Sequence, residues 1–126
     1  YGGLGVPVQH TPLRITTKQH PQQMSNTVIG IVATNLMLDK ASRTRLATAA
    51  HDGIARAIQP SHTPLDGDLI FAASTSQHDI PCDAYDLAML GHGAAISMTR
   101  AICRGIWHAE AAAGDTLPIM RDITSS

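Results

Sequence analysis

The run Thr27-Val28-Ile29-Gly30-Ile31-Val32-Ala33-Thr34 constrains this chain most. It is nearly continuous in apolar, β-branched residues, the pattern of a strand buried on both faces. Gly30 within it predicts close approach by another backbone or a ligand. A second such run covers 69–74. Between them Asp39 reads as an N-cap, and Leu46, Ala50, Ile54 and Ile58 recur every four residues. That spacing predicts an amphipathic helix of roughly five turns, ending before Pro60.

The segment 61–68, with Pro64 and Gly67, reads as loop, as does 77–82 with Pro81. Asp83, with Asp86 three residues on, predicts the cap of a long helix reaching about residue 113. Leu87, Leu90, Ala94, Met98, Ile102 and Ile106 mark its expected buried stripe, with Met89 also in the core and Gly114 as the stop. The tail from Asp115 has room for a short strand at 117–120. Residues 1–26, rich in Gly, Pro, Gln and His, read as loop with a short strand at 6–8 or 13–16. Gly2-Gly3-Leu4-Gly5 lacks the Lys-Ser/Thr of a phosphate loop. The order β-α-β-α places the chain in the α/β class as part of one domain. Two or three strands and two helices cannot bury both faces of a sheet. The chain is therefore expected to oligomerise or to receive strands from a preceding segment.

Composition narrows the function classes. Hydrophobic residues make up 44% but aromatics only 3%, so the core is built of small side chains. The formal net charge of −1 comes from mixed acids and bases, which gives nucleic acid or an anionic membrane nothing to attract it. The longest apolar helix carries Arg100, Arg104, His92 and His108 and does not read as a membrane span. Cys82 and Cys103 lack the spacing of a metal knuckle or redox pair, so a reducing, cytoplasmic setting is the default expectation. The seven histidines, His10, His20, His51, His62, His78, His92 and His108, show no HExxH-type spacing, and no metal site is expected. The first residue is Tyr1 rather than methionine, which reads as a fragment or a processed product.

Three residues carry the strongest chemistry. Thr27 opens the first strand, and Asp66-Gly67-Asp68 lies at the mouth of the second. Inside a chain a threonine hydroxyl is a poor nucleophile, but at a new N-terminus its own α-amine serves as base. If Thr27 attacks the preceding Asn26 carbonyl, an N-to-O acyl shift gives an ester that water resolves. The freed amine, with a reference pKa of about 8, can then accept the hydroxyl proton near neutral pH. Two carboxylates flanking one glycine are placed to orient the amine and hydroxyl and to bias each other's protonation. A solvated turn is the simpler reading of the same three residues. His62, close to the pair, either accepts a proton in the site or anchors the loop.

The stretch Ser25-Asn26-Thr27-Val28-Ile29-Gly30-Ile31-Val32-Ala33-Thr34-Asn35 resembles the processing site of a family of self-cleaving hydrolases. The family comprises D-aminopeptidases, β-peptidyl aminopeptidases and nylon (6-aminohexanoate) oligomer hydrolases. His51-Asp52-Gly53-Ile54-Ala55-Arg56-Ala57-Ile58-Gln59-Pro60 and Ser61-His62-Thr63-Pro64-Leu65-Asp66-Gly67-Asp68-Leu69-Ile70-Phe71-Ala72 continue the likeness. It extends over about residues 25–113 and is closest to the branch with an Asn–Thr cut.

The resemblance implies a four-layer αββα sandwich of the N-terminal-nucleophile kind, with this chain as its C-terminal portion. Residues 1–26 become the tail of a large subunit, and 27–126 the small, nucleophile-bearing segment. It implies Thr27 as nucleophile, Asp66 and Asp68 as supporting carboxylates, and Asn26–Thr27 as the autocleavage bond. It further implies hydrolysis of peptide or other linear amide bonds without cofactor or metal, in a homo-oligomer of processed heterodimers. Ser25 and Val28 stand where the family usually has Gly and a second Thr. The family's large-subunit residues have no counterpart here, so the segment alone is expected to be inactive. Two other outcomes are compatible with the same residues. One is an acyltransferase of the ornithine acetyltransferase type, and the other an unprocessed, non-catalytic homologue.

Overall fold

The computed structural model describes residues 27–78, 80–115, 119, 120 and 122. Its elements are β1 (Ile29–Leu36), α1 (Lys40–Ala57), β2 (Leu69–His78) and α2 (Ala84–Trp107). The readings made for residues 1–26 lie outside the described residues. Of the expected strand at 117–120, only Ile119 and Met120 are described, and Met120 is helical.

β1 and β2 pair in parallel, with Ile29 opposite Leu69 and Ile31 opposite Phe71. Parallel neighbours need a long crossover, and α1 supplies it. The register shifts between Thr34 and Leu36, after which Leu36 faces His78. β2 thus runs four residues past the expected end at Ser74, because the irregularity lets its polar end stay paired. The Ser74 hydroxyl ties this region together, donating to the Leu36 carbonyl and accepting from the Leu38 amide at 3.2 Å.

Both helices begin where their caps predict. The Asp39 carboxylate accepts from the Ser42 amide at 2.7 Å. Asp83 and Asp86 form a reciprocal capping box, at 2.8 and 3.3 Å. α2 ends six residues before the expected position. From Cys103 to Trp107 its side chains are exposed, so the helix has run past the elements it packs on. Beyond its packing partners even an alanine-rich segment holds helix poorly. Gly114, at φ +94°, closes a separate turn in which the Asp115 amide donates to the Ala112 carbonyl.

One face of the sheet meets the helices. Val32 and Ile70 from the strands, Leu46, Ala50 and Ile54 from α1, Met98 from α2, and Leu38 form the buried core. In α2 the buried line is Gly91, Ala95 and Met98. Leu87, Leu90, Ala94 and Ile102 flank it half-buried, and Met89 and Ile106, read as buried, are exposed. The helices lie close. A Cβ on Gly53 would stand 2.4 Å from the Ala95 carbonyl oxygen and 2.6 Å from Met98 Cβ. Thr99 Oγ1 donates across that contact to the Gly53 carbonyl at 3.2 Å. The close approach expected at Gly30 comes from a side chain, Met98, whose Cε would lie 2.7 Å from an added Cβ. Gly91 packs on Ala49 of α1, and an added Cβ at Gly93 would meet nothing within 4 Å.

Among the described residues, no element covers the other sheet face. Ile29 is 70% exposed, Ile31 67%, Phe71 54% and Leu69 46%. The apolar run of β1, read as buried on both faces, is therefore buried on one. Both faces are apolar, and these four elements can cover only one of them.

Candidate active site

The parallel register decides which residues meet. With Ile29 opposite Leu69, the residues just ahead of each strand also lie side by side. Val28 is held by both of its backbone groups: its amide donates to Asp68 Oδ1 at 3.2 Å, and its carbonyl accepts from the Leu69 amide at 2.8 Å. Its side chain packs against the core. Val28 is thus fixed from three sides, and Thr27 is the next residue out.

Thr27 is exposed. Its Oγ1 lies over Gly67, where an added Cβ would stand 3.0 Å from the hydroxyl. That is tighter than an ordinary contact, so the lack of a side chain at 67 makes room for the Thr27 hydroxyl. The segment 67–69 therefore cradles Thr27 and Val28 through one bare Cα, one carboxylate and one amide.

The two carboxylates turn to different partners. Asp66 closes its own loop: Oδ2 accepts from the Thr63 amide at 2.8 Å, and the Asp66 amide donates to the Thr63 carbonyl at 2.9 Å. Such a local side-chain cap stabilises a turn. Asp68 reaches outside its loop. Besides Val28 it meets His62, whose Nδ1 lies 2.8 Å from Asp68 Oδ2. The Asp68 side chain is only 7% exposed, against 36% for His62. His62 Nε2 faces the His51 carbonyl at 3.3 Å, and the two histidine rings are 5.2 Å apart. Nothing in the sequence pointed to His51 as a neighbour of His62, because that contact depends on where the last turns of α1 meet the 61–68 loop. Asn26 lies outside the described residues.

Beside β1 runs an apolar groove of about 640 Å³, lined by β1 from Val28 to Thr34 and by Leu90, Met98 and Ile102 of α2. Among the described residues no three His, Cys, Asp or Glu side chains converge as metal ligands. Cys82 and Cys103 are free thiols. No helix among the described residues is long and apolar enough to cross a membrane.

The chain matches the model of peptidase family S58 over residues 2–117. The chain belongs to peptidase family S58. It is 41% identical over 108 residues to an uncharacterized aminopeptidase of Mycobacterium tuberculosis, covering 78% of this chain and 31% of that protein. An uncharacterized aminopeptidase of Mycobacterium leprae is 38% identical over 104 residues, 75% of this chain and 29% of its own length. A 6-aminohexanoate-oligomer endohydrolase of Kocuria sp. is 37% identical over 59 residues, 47% of this chain and 17% of that enzyme. This S58 chain thus spans less than a third of the mycobacterial relatives it matches.

Proposed function

We propose that this chain is the nucleophile-bearing C-terminal part of a self-processing amidohydrolase of the aminopeptidase and amide-oligomer hydrolase kind. Thr27 is its nucleophile. The observation that carries the reading is the seat of Thr27: exposed, with its hydroxyl over Gly67, beside an amide held by Asp68.

In the processing step the Thr27 Oγ attacks the Asn26 carbonyl carbon. The C–N bond to Thr27 breaks as the hydroxyl proton passes to the departing nitrogen, which leaves an ester. Water cleaves that ester, releasing Asn26 as a carboxylate and Thr27 with a free α-amine. In turnover this amine takes the hydroxyl proton as Oγ attacks a substrate amide, and the leaving amine receives it. The resulting acyl ester is hydrolysed by water, which returns the hydroxyl. Asp68 holds the strand head still through these steps, while Asp66 holds the loop that carries Asp68. Correct placement of the attacking atom is a large share of the rate gain. Backbone amides and groups from outside this chain supply the oxyanion donors.

The remainder of the longer protein completes the fold. Its strands cover the bare face around Ile31 and Phe71, giving the four-layer αββα arrangement, and fill the groove between β1 and α2. The proposed assembly is a homo-oligomer of processed heterodimers, acting in the cytoplasm on small peptides or linear amides.

The test is the intact mass of the full-length protein on expression, followed by assay on amino-acid p-nitroanilides and linear 6-aminohexanoate oligomers. Splitting between Asn26 and Thr27, lost in Thr27→Ala together with hydrolysis, is the expected result. A wild-type chain that never splits, or a Thr27→Ala variant that splits and hydrolyses normally, refutes the reading. Adding an amine acceptor separates hydrolysis from acyl transfer, since a transferase yields the acylated amine.

A further inference from the structure

The contact between His62 and Asp68 has consequences for Thr27. We infer that His62 is a positioning residue, which orients the Asp68 carboxylate and through it the Val28 amide and the Thr27 hydroxyl. The inference rests on the reading of Thr27 as the nucleophile.

Asp68 has two oxygens and two tasks. Oδ1 accepts the Val28 amide and Oδ2 faces His62 Nδ1. A carboxylate that accepts one hydrogen bond is still free to rotate about its χ2 torsion. One that accepts a different donor on each oxygen is locked in plane. A carboxylate can only accept, so the Nδ1 position must carry the hydrogen. The far end of the ring lies against α1, with Nε2 at 3.3 Å from the His51 carbonyl. A chain of contacts therefore runs from the last turns of α1 through His62 and Asp68 to the amide next to Thr27.

The backbone at His62 supports a dedicated role. Its φ is +56°, in the left-handed region, which side-chain-bearing residues other than Asn, Asp and His seldom adopt. A loop that needed only this conformation would be served by glycine. Histidine there adds the Nδ1 donor, which lies 2.8 Å from a carboxylate that is itself almost fully enclosed. Merely anchoring the loop would not need that donor, because the turn from Thr63 to Asp66 closes on itself through the Asp66 side chain.

Three substitutions separate backbone from donor. Asparagine tolerates a positive φ and places a side-chain amide nitrogen where Nδ1 sits. Aspartate has the same shape and backbone tolerance but offers only acceptors. Glycine keeps the backbone and removes the side chain. In the full-length protein, the rate of splitting at Asn26–Thr27 is followed by intact mass, with kcat and KM on an amino-acid p-nitroanilide and a thermal unfolding midpoint for each variant. His62→Gly and His62→Asp are expected to slow splitting and lower kcat roughly tenfold to a hundredfold, the range for losing a hydrogen bond to a charged group. KM should change little. His62→Asn is expected to stay within about threefold of wild type, since it keeps the stronger of the two contacts.

Wild-type splitting and kcat in His62→Gly overturn the inference, as does His62→Asn impaired as far as His62→Gly. If His62→Gly does not fold, the comparison of Asn with Asp decides, and equal rates in those two overturn it. Thr27→Ala, run in parallel, tells apart the two levels of the argument. A variant lacking the Thr27 hydroxyl that still splits removes the reading on which the role of His62 rests. An inert Thr27→Ala beside a fully active His62→Gly removes the role of His62 alone.

Discussion

Asp68 accepts the Val28 amide at 3.2 Å across forty residues of sequence, tying the head of β1 to the head of β2. Two donors, Val28 N–H and His62 Nδ1, face its two oxygens. Asparagine at 68 would remove the negative charge that both donors face and leave a single acceptor oxygen for the two of them. Asp68→Asn should therefore slow splitting of the full-length chain at least tenfold and destabilise it by about 1–3 kcal/mol. Asp66→Asn keeps a side-chain oxygen for the Thr63 amide and should slow splitting less. Intact-mass time courses and denaturant titrations of both variants check the ranking.

Gly67 gives a sharper test of where the Thr27 hydroxyl sits. Its added Cβ would lie 3.0 Å from Thr27 Oγ1. The neighbour is an exposed side chain that can move a few tenths of an ångström, so Gly67→Ala should change stability by less than about 1 kcal/mol. The same small displacement moves the atom proposed to attack, and splitting should slow by about tenfold or more. Near-normal stability with impaired splitting is the expected signature. Unchanged splitting would count against the seat described for Thr27.

The helix interface predicts opposite outcomes for two glycines. Gly53→Ala would drive a methyl to 2.4 Å from the Ala95 carbonyl oxygen, with Met98 Cβ close behind. Overpacking of that kind should cost about 1–3 kcal/mol. Gly105, in the exposed part of α2, has nothing within 4 Å of an added Cβ. Gly105→Ala should stabilise by about 0.5–1 kcal/mol through helix propensity alone. Denaturant midpoints of the two full-length variants should move in opposite directions.

The bare sheet face carries a prediction about the longer protein. Phe71 is 54% exposed in this chain. Covered by a second sheet, it would behave as a core residue, and Phe71→Ser should destabilise the full-length protein by about 3–5 kcal/mol. A solvated position would respond by no more than about 0.5 kcal/mol. Differential scanning calorimetry of the full-length variant distinguishes the two.

At the start of α1 the Asp39 carboxyl is held below its ordinary value of 3.8. Hydrogen bonds from the Ser42 backbone and side chain are the main cause, and the Arg43 charge adds to them. A folded-state pKa below the unfolded one means the cap stabilises α1 fully above the ordinary value and fades as pH falls through the lowered one. Asp39→Ala should therefore remove stability at neutral pH and make little difference in strong acid. Helix content followed by circular dichroism across that acid range checks the sign.

The places where sequence reading succeeded and failed have a common physical basis. Asp39 with Ser42 and Asp83 with Asp86 are contacts within three residues, and both helix starts were legible. The end of α2 was not, because the helix packs only as far as Ile102 and its exposed last turn gives out at Trp107. The buried line of α2 shifted for the same reason: Gly91 and Ala95 let α1 approach, and no periodicity weighs a glycine as core. In the site, Thr27 and the Asp66-Gly67-Asp68 segment were singled out from the sequence as candidates, and the parallel register brings them side by side. The different partners of Asp66 and Asp68 were not legible.

The sequence by itself determined the order of elements and their caps, because those depend on neighbours along the chain. Only the tertiary structure decided that the strands run parallel with Ile29 beside Leu69, and that register places Asp68 against Val28, Gly67 under Thr27 and His62 behind Asp68. It also decided which apolar face the helices cover. Strand pairing joins residues forty positions apart, and local propensity carries no information at that range.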